Sequence, residues 1–262
     1  MTQLSVNYSE GLLELIQDGL APIQAIEFGP WLQPERIASL RHELPSLTFH
    51  FHHSNLIGRL QWDPKAIHRL HAYLSCTDCP WISAHIALLP SIITLLALEL
   101  KLYLPLPSPD AAALRFIDRA IWLQRHVALP LILENMPTFP TQRYAHEVDP
   151  CRIRQILDET GAGFLLDLAH ARIAAGVFHW DVHEYLERLP LERTVEIHVS
   201  GLRQRKGVLY DAHEPMEEED YRLLEWALER TRPEVVTLEY FRDKGKLEEQ
   251  LGRLAALSWQ KT

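Results

Sequence analysis

The chain has few of the features that mark a secreted, membrane-bound or nucleic-acid-binding protein. Its 262 residues include only three cysteines, too few for a disulfide framework, so a reducing compartment, the cytoplasm, is the expected setting. Cys76-Thr-Asp-Cys79 has CxxC spacing, but no second pair completes a tetrahedral zinc site; it reads as two loop thiols or as a redox pair. Met1 to Gln17 carries Asn7, Ser9, Glu10 and Glu14 and no basic stretch ahead of an apolar run, so no secretory signal is expected. The most apolar window, Ile86 to Leu106, is broken by Pro90, Glu99, Lys101 and Pro105, whereas a bilayer span needs ~20 nearly uninterrupted apolar residues. It reads as a buried strand-flanking loop and helix, with no membrane partner. Positive charge is in deficit, 26 Lys+Arg against 35 Asp+Glu for a net charge of −9, which argues against the basic face that nucleic-acid binding requires. No glycine-rich phosphate loop and no Ser-His-Asp pattern at a sharp turn is present.

What remains is an ordinary globular composition, 47% hydrophobic and 23% charged, which excludes a disordered chain. Short apolar runs alternate with amphipathic stretches. The strand-like runs are Leu4–Asn7, Ile23–Phe28, Leu47–His52, Trp81–Ala87, Leu131–Asn135, Gly163–Asp167, Val195–Ser200 and Val235–Tyr240. Several are apolar on both faces, as parallel strands covered by helices are. Helical patterns fall at Glu10–Gln17, Pro34–His42, Pro64–Leu74, Asp110–His126, Pro150–Glu159, Asp181–Leu189, Glu217–Glu229 and Lys246–Leu257. Ser9 is placed to cap the first, and Pro34, Pro64 and Pro150 sit in first turns. Eight strand–helix units at about 33 residues each describe an α/β fold, a single eight-stranded (β/α) TIM barrel. No linker or composition shift marks a second domain, so one domain over 1–262 is expected.

Histidine is abundant, at 14 residues. His50 and His52 end the third run, His85 the fourth, Glu134-Asn135 the fifth and Asp167 the sixth, while His198 and Glu239 lie late in the last two. His170 follows Asp167 by three residues, and His213 follows Asp211 by two. In a parallel barrel the carboxyl ends of the strands converge on one mouth, where active sites sit. A buried ring of His, Asp and Glu is costly unless paired or bound to cations. Imidazole and carboxylate together suit iron, zinc or manganese. The candidate ligands are His50, His85, Glu134, Asp167, His170, His198, Asp211, His213 and Glu239, too many for one ion and enough for two or three. His52 shares a strand face with His50 and reads as a hydrogen-bonding orienter of a ligand, or as a further ligand. Glu196 reads as an orienting or substrate-binding group, or as half of a salt bridge. His68, His71, His179 and His183 fall on or beside helix patterns and read as surface residues. Arg203-Gln-Arg205-Lys206, after the seventh strand, reads as a solvated loop or as a positive lip for an acidic substrate.

These residues resemble the multinuclear non-haem iron-dependent oxidases, barrel enzymes that modify ribosomally made peptides. Ile82-Ser-Ala-His85 resembles the family's S-x-H strand end, Leu102-Tyr-Leu-Pro-Leu-Pro107 its L-L-P-L-P segment, and Gly161-Ala-Gly-Phe-Leu-Leu-Asp167 its G-x-G-x-L-L-D strand. Val195-Glu-Ile-His198, Asp211-Ala-His213 and Thr237-Leu-Glu239 resemble its E-I-H strand, D-x-H loop and closing strand. The resemblance implies that the nine candidates ligate two or three irons and that His52, Asn135 and Glu196 orient them. It implies oxidation of a cysteine in a peptide substrate with dioxygen, and a separate partner protein that grips the peptide's leader. Departures are His170 where many members have Asn, Leu202 where a second histidine stands, Phe241 at an often acidic position, and Val6-Asn7-Tyr8 in place of G-L-R. Asp167-x-x-His170 also resembles a motif of xylose-isomerase-like barrels, which keeps a zinc- or manganese-dependent sugar isomerase, epimerase or phosphodiesterase as the alternative. A non-catalytic metal-binding barrel is the third reading.

Overall fold

The computed structural model describes residues 2–53, 56–58, 64–89, 96–97, 100, 102, 106–137, 142–205 and 207–257. Its elements in order are β1 (Gln3–Asn7), α1 (Glu10–Gln17), β2 (Ala25–Phe28), α2 (Pro34–Glu43), β3 (Thr48–Phe51), α3 (Pro64–Leu74), β4 (Ile82–His85), α4 (Pro109–Val127), β5 (Leu131–Glu134), α5 (Pro150–Thr160), β6 (Gly163–Asp167), α6 (Leu168–Phe178), α7 (Val182–Arg188), β7 (Thr194–Val199), β8 (Gly201–Arg205), β9 (Val208–Glu214), α8 (Glu218–Leu228), β10 (Val235–Leu238) and α9 (Lys244–Ala256). Eight strands form one sheet in the order β3-β2-β1-β10-β7-β6-β5-β4, every neighbouring pair parallel. A lone parallel bridge, His52 to Ser83, joins the two outer strands and makes the ring a nearly closed TIM barrel. Each of the eight strand-like runs is a barrel strand.

Two elements differ from the sequence reading. Leu168–Phe178 is a helix that hydrophobic periodicity does not reveal, because Leu168, Ala169, His170, Ala171, Ile173, Ala174 and Ala175 are all buried and leave little polar face. The segment after β7 is the antiparallel hairpin β8–β9, so the Asp211–His213 pair expected on a loop stands on a strand. The Ile86–Leu106 window and the Leu102–Pro107 segment lie largely outside the described residues. Among the described residues no helix is long and apolar enough to cross a membrane.

Strand alternation sorts the side chains. Leu4, Val6, Ile26, Phe28, Phe49, Phe51, Leu131, Leu133, Phe164, Leu166, Val236 and Leu238 belong to the main buried core, between the strands and the surrounding helices. Trp81, Ile132, Leu165 and Val235, with Val195 against them, form a separate cluster that floors the barrel near the strands' amino ends. Gly163 is required there, since a Cβ would lie 2.7 Å from Val195 Cγ2 and 2.9 Å from Ile132 Cγ2. Slipping one strand by a residue would send its apolar face inward, at ~1.5–3 kcal/mol for each large side chain exposed, so register is strongly fixed. That register pairs Asn7 with Glu27, Glu27 with His50, His85 with Glu134 and Asp167 with His198. The polar residues of the strands therefore meet inside the ring.

Candidate metal centre at the barrel mouth

At the carboxyl ends of the strands a cavity of about 620 Å3 is lined by His52, His85, Glu134, His170, Asp211, His213 and Glu239, with Asn7, Ser9 and the aromatic Tyr8, Trp31 and Phe241. That volume suits a small ligand or a peptide segment. His52 and His85 bring their Nε2 atoms within 3.1 Å of each other, and His85 Nε2 lies 3.0 Å from Glu134 Oε2. Ser83 Oγ meets the other ring nitrogen of His52 at 2.9 Å, which aims Nε2 at the cluster. Two facing imidazole nitrogens and one carboxylate are close enough to hold a common cation.

Beside them, Glu134, Asp167 and His198 form a second group whose ligand atoms lie within 4.8 Å of one another. Asp167 ends β6 and caps α6, its Oδ1 accepting from the His170 backbone N–H at 2.6 Å. The first turn of α6 then carries His170 back over the mouth, with Nδ1 3.0 Å from Glu134 Oε1 and Nε2 3.3 Å from Asp211 Oδ2. Asn135 clamps this corner. Its amide donates to the Asp167 carbonyl and accepts from the Asp167 N–H, both at 2.9 Å, and its own carbonyl faces His170 Nδ1 at 2.9 Å.

Asp211 and His213 enter from the hairpin. Leu202 pairs with Asp211 but Gly201 with Glu214, so Ala212 and His213 form a bulge, and His213 adopts a left-handed backbone with φ 45. Bulges re-aim side chains beside active sites. Here the bulge sets His213 Nε2 3.3 Å from Asp211 Oδ1. Arg242 Nη1 donates to Glu214 at 3.0 Å, and Nη2 holds the Ala212 carbonyl. Arg203 also pairs with Glu214, so that guanidinium is neutralised within the hairpin; Lys206 lies outside the described residues.

Burial and charge oppose each other throughout. Burial alone would push the carboxyl of Glu134 up, but His85 and His170 hold it well below the usual carboxylate range. Burial lifts Asp167 to about 8. Burial disfavours the imidazolium of His198, yet Glu27, Glu239 and Glu196 outweigh it and hold its pKa well above the usual value; Asp167, Asp211 and Glu134 do the same for His170. His52, with fewer compensating charges, is driven well below by burial. Asp211 is held low by His170 and His213 against its burial. The carboxylates at the mouth therefore favour the imidazolium forms of His170 and His198, while burial keeps His52 neutral.

Residues 32–258 match the family described as RiPP precursor modification enzyme MbnB/TglH/ChrH. The chain belongs to this family. A UPF0276 protein of Bordetella pertussis is 34% identical over 142 residues, 52% of this chain and 49% of its own length. One from Caulobacter vibrioides is 27% identical over 152 residues, 58% and 54% of the two chains. The chain thus spans about half the length of the curated relatives it matches. Among solved structures, a xylose isomerase domain containing protein from Salmonella typhimurium superposes with a TM-score of 0.64 at 13% identity, covering 97% of this chain and 96% of that one. The 3-keto-D-glucoside 4-epimerase of Escherichia coli gives 0.57 at 14% identity with full coverage of both chains. These likenesses are of fold.

The donor set at the mouth has the chemistry to hold metal ions. Asp167 Oδ2, His198 Nδ1 and His213 Nδ1 are buried without a hydrogen-bond partner, an arrangement that costs free energy unless a cation is shared among them. Of the residues named from sequence, His52, His85, Glu134, Asp167, His170, His198, Asp211, His213 and Glu239 gather at or just beneath the mouth. His50 stands deeper. Its ring packs edge-on against Trp81 at 5.4 Å and lines the cavity at the opposite, amino-terminal face of the barrel. Parity places His50 and His52 on one face and says nothing of depth. Glu196 also lies below, accepting from Trp81 Nε1 at 3.0 Å and Thr237 Oγ1 at 2.6 Å. Glu27 escapes sequence reasoning although it is 1% exposed. The available signal is a single carboxylate in the otherwise apolar run Ala25-Ile-Glu-Phe28.

Proposed function

We propose that this chain is a multinuclear iron-dependent oxidase that modifies a cysteine of a ribosomally synthesised peptide. The observation that carries the reading is the mouth itself: two donor groups sharing Glu134, His52–His85–Glu134 and Glu134–Asp167–His198, in a family of peptide-modifying enzymes. A shared carboxylate is what holds two ions at bridging distance. His52, His85, Glu134, Asp167, His170, His198, Asp211, His213 and Glu239 would hold two or three irons, which supply Lewis acidity toward a thiolate and redox capacity for its oxidation by dioxygen. The protein's own part is positional. Ser83 orients His52, the Asn135 clamp fixes Asp167 and His170, and the bulge delivers Asp211 and His213. Trp31 and Phe241, 58% and 49% exposed, give the mouth an apolar rim against which a peptide's side chains can shed water. A separate protein that grips the leader of the precursor is the expected partner.

The test is metal analysis of anaerobically purified protein, followed by incubation with a cysteine-bearing precursor peptide and dioxygen. Two to three irons per chain and an oxidised, mass-shifted peptide are expected. Manganese or zinc with turnover of a keto-sugar would instead establish an epimerase of the kind its fold neighbours include.

A further inference from the structure

One layer below the mouth, on its floor side, stands a further constellation, of which the proposed oxidase chemistry uses only the upper nitrogen of His198. Glu27, Glu196 and His198 offer ligand atoms within 4.8 Å of one another, and all three residues are buried. His198 Nε2 points down into this group, 3.3 Å from Glu27 Oε2 and 3.5 Å from Glu196 Oε1, while Nδ1 faces up, 3.6 Å from Glu239 Oε1. The downward separations exceed the ~2.7–2.9 Å of a charge-assisted hydrogen bond. They match the ~3.4 Å between two ligands that each sit ~2.1 Å from a tetrahedral ion. Glu27 is the independent sign of a ligand. It is 1% exposed, its Oε1 is buried with no partner, and Oε2 faces only His198 Nε2, at 3.3 Å. Glu196, by contrast, is oriented by the donors Trp81 Nε1 and Thr237 Oγ1, as outer groups orient the carboxylate ligands of metals.

We propose that Glu27, Glu196 and His198 Nε2 form a separate deep site for one divalent cation of the zinc, manganese or iron(II) class, distinct from the ions at the mouth. His198 then presents one nitrogen to each level. The deep ion fills the barrel axis above the Trp81–Ile132–Leu165–Val235 floor and neutralises the two carboxylates there. This assignment stands whether or not the mouth carries out peptide oxidation.

Cobalt(II) is the probe, counted by elemental analysis after desalting and followed by its visible absorption. The double variant Glu134→Gln/Asp167→Asn removes the carboxylate shared by both mouth groups together with its neighbour, and leaves Glu27, Glu196 and His198 in place. It is expected to retain one cobalt per chain, and adding Glu27→Gln is expected to weaken that ion at least tenfold. A double variant that holds no cobalt, or a triple variant that holds it as tightly as the double, overturns the deep site. If circular dichroism shows that Glu27→Gln does not fold, Glu27→Asp is read instead. Retreat of the carboxylate by one methylene should weaken the ion at least tenfold, and unchanged affinity overturns the site. Peptide turnover by the parent protein is scored separately, so failure of the oxidase reading and failure of the deep site give different results.

Discussion

Asp167 has two tasks on two oxygens: Oδ1 caps α6, and Oδ2 faces the cluster unpartnered. Substitution can separate them. Asp167→Asn keeps the cap and removes the charge, so metal content should fall by at least one ion while thermal stability of the metal-free protein changes little. Asp167→Ala should lose the same ion and a further ~1 kcal/mol of stability with the cap. Equal metal content in Asp167→Asn and the parent would remove Asp167 from the ligand set. His170→Asn should weaken one site at least ~10-fold and leave the others, as loss of an imidazole ligand would; isothermal titration with iron(II) reads this directly. Glu147 offers a pH test away from the mouth. It accepts from the Leu88 N–H at 3.0 Å, and burial pushes its carboxyl from 4.5 up to about 7. The folded protein therefore binds this proton more tightly than the unfolded chain, so stability from this group is full below pH 4.5 and is lost as pH rises to about 7. The loss is at most about 3 kcal/mol, and Glu147→Gln should flatten that slope in denaturant titrations and be the more stable form above neutrality.

Among the elements, the strands were legible because each reads as an apolar run of the right length, and the polar residue at its carboxyl end marks the mouth. What escaped was whatever the barrel buries on every side. Leu168–Phe178 has no polar stripe to betray its helical period, and the bulge at Ala212–His213 is a feature of pairing that no single strand carries. Without α6 the sequence could place His170 only beyond a strand end; with it, the first helical turn explains how residues three apart face one cluster. The hairpin also yields a prediction. A Cβ on Gly201 would meet the Pro215 carbonyl oxygen at 2.1 Å, so backbone must move to admit it. Gly201→Ala should shift the β8–β9 register and withdraw Asp211 and His213 from the mouth. The expected result is loss of the metal bound nearest His213 with the barrel retained, seen as reduced stoichiometry with unchanged far-ultraviolet circular dichroism.

For the whole molecule, the ring is continuous among the described residues except at one seam. Every other neighbouring pair shares a ladder of at least three residue pairs, but β3 and β4 meet through the His52–Ser83 bridge. His52 is also a donor at the mouth, held to Ser83 by its ring and facing His85. Metal held by His52, as proposed, would therefore be linked to ring closure. Ions at a hundredfold excess over their dissociation constant should stabilise the fold by ~2.7 kcal/mol. Hydrogen exchange should show the amides of Phe51, His52 and Ser83 protected more by metal than those of β6 or β7. Equal protection across the ring would show that the seam is closed without ions.

The seam also bears on how metal would leave. With an ion held by His52 as proposed, parting β3 from β4 would pull His52 away from Ser83 and from the ion together. Ser83→Ala, which frees the His52 ring, is therefore expected to release metal to a chelator faster than the parent, and equal release rates would show that the seam has no part in retention.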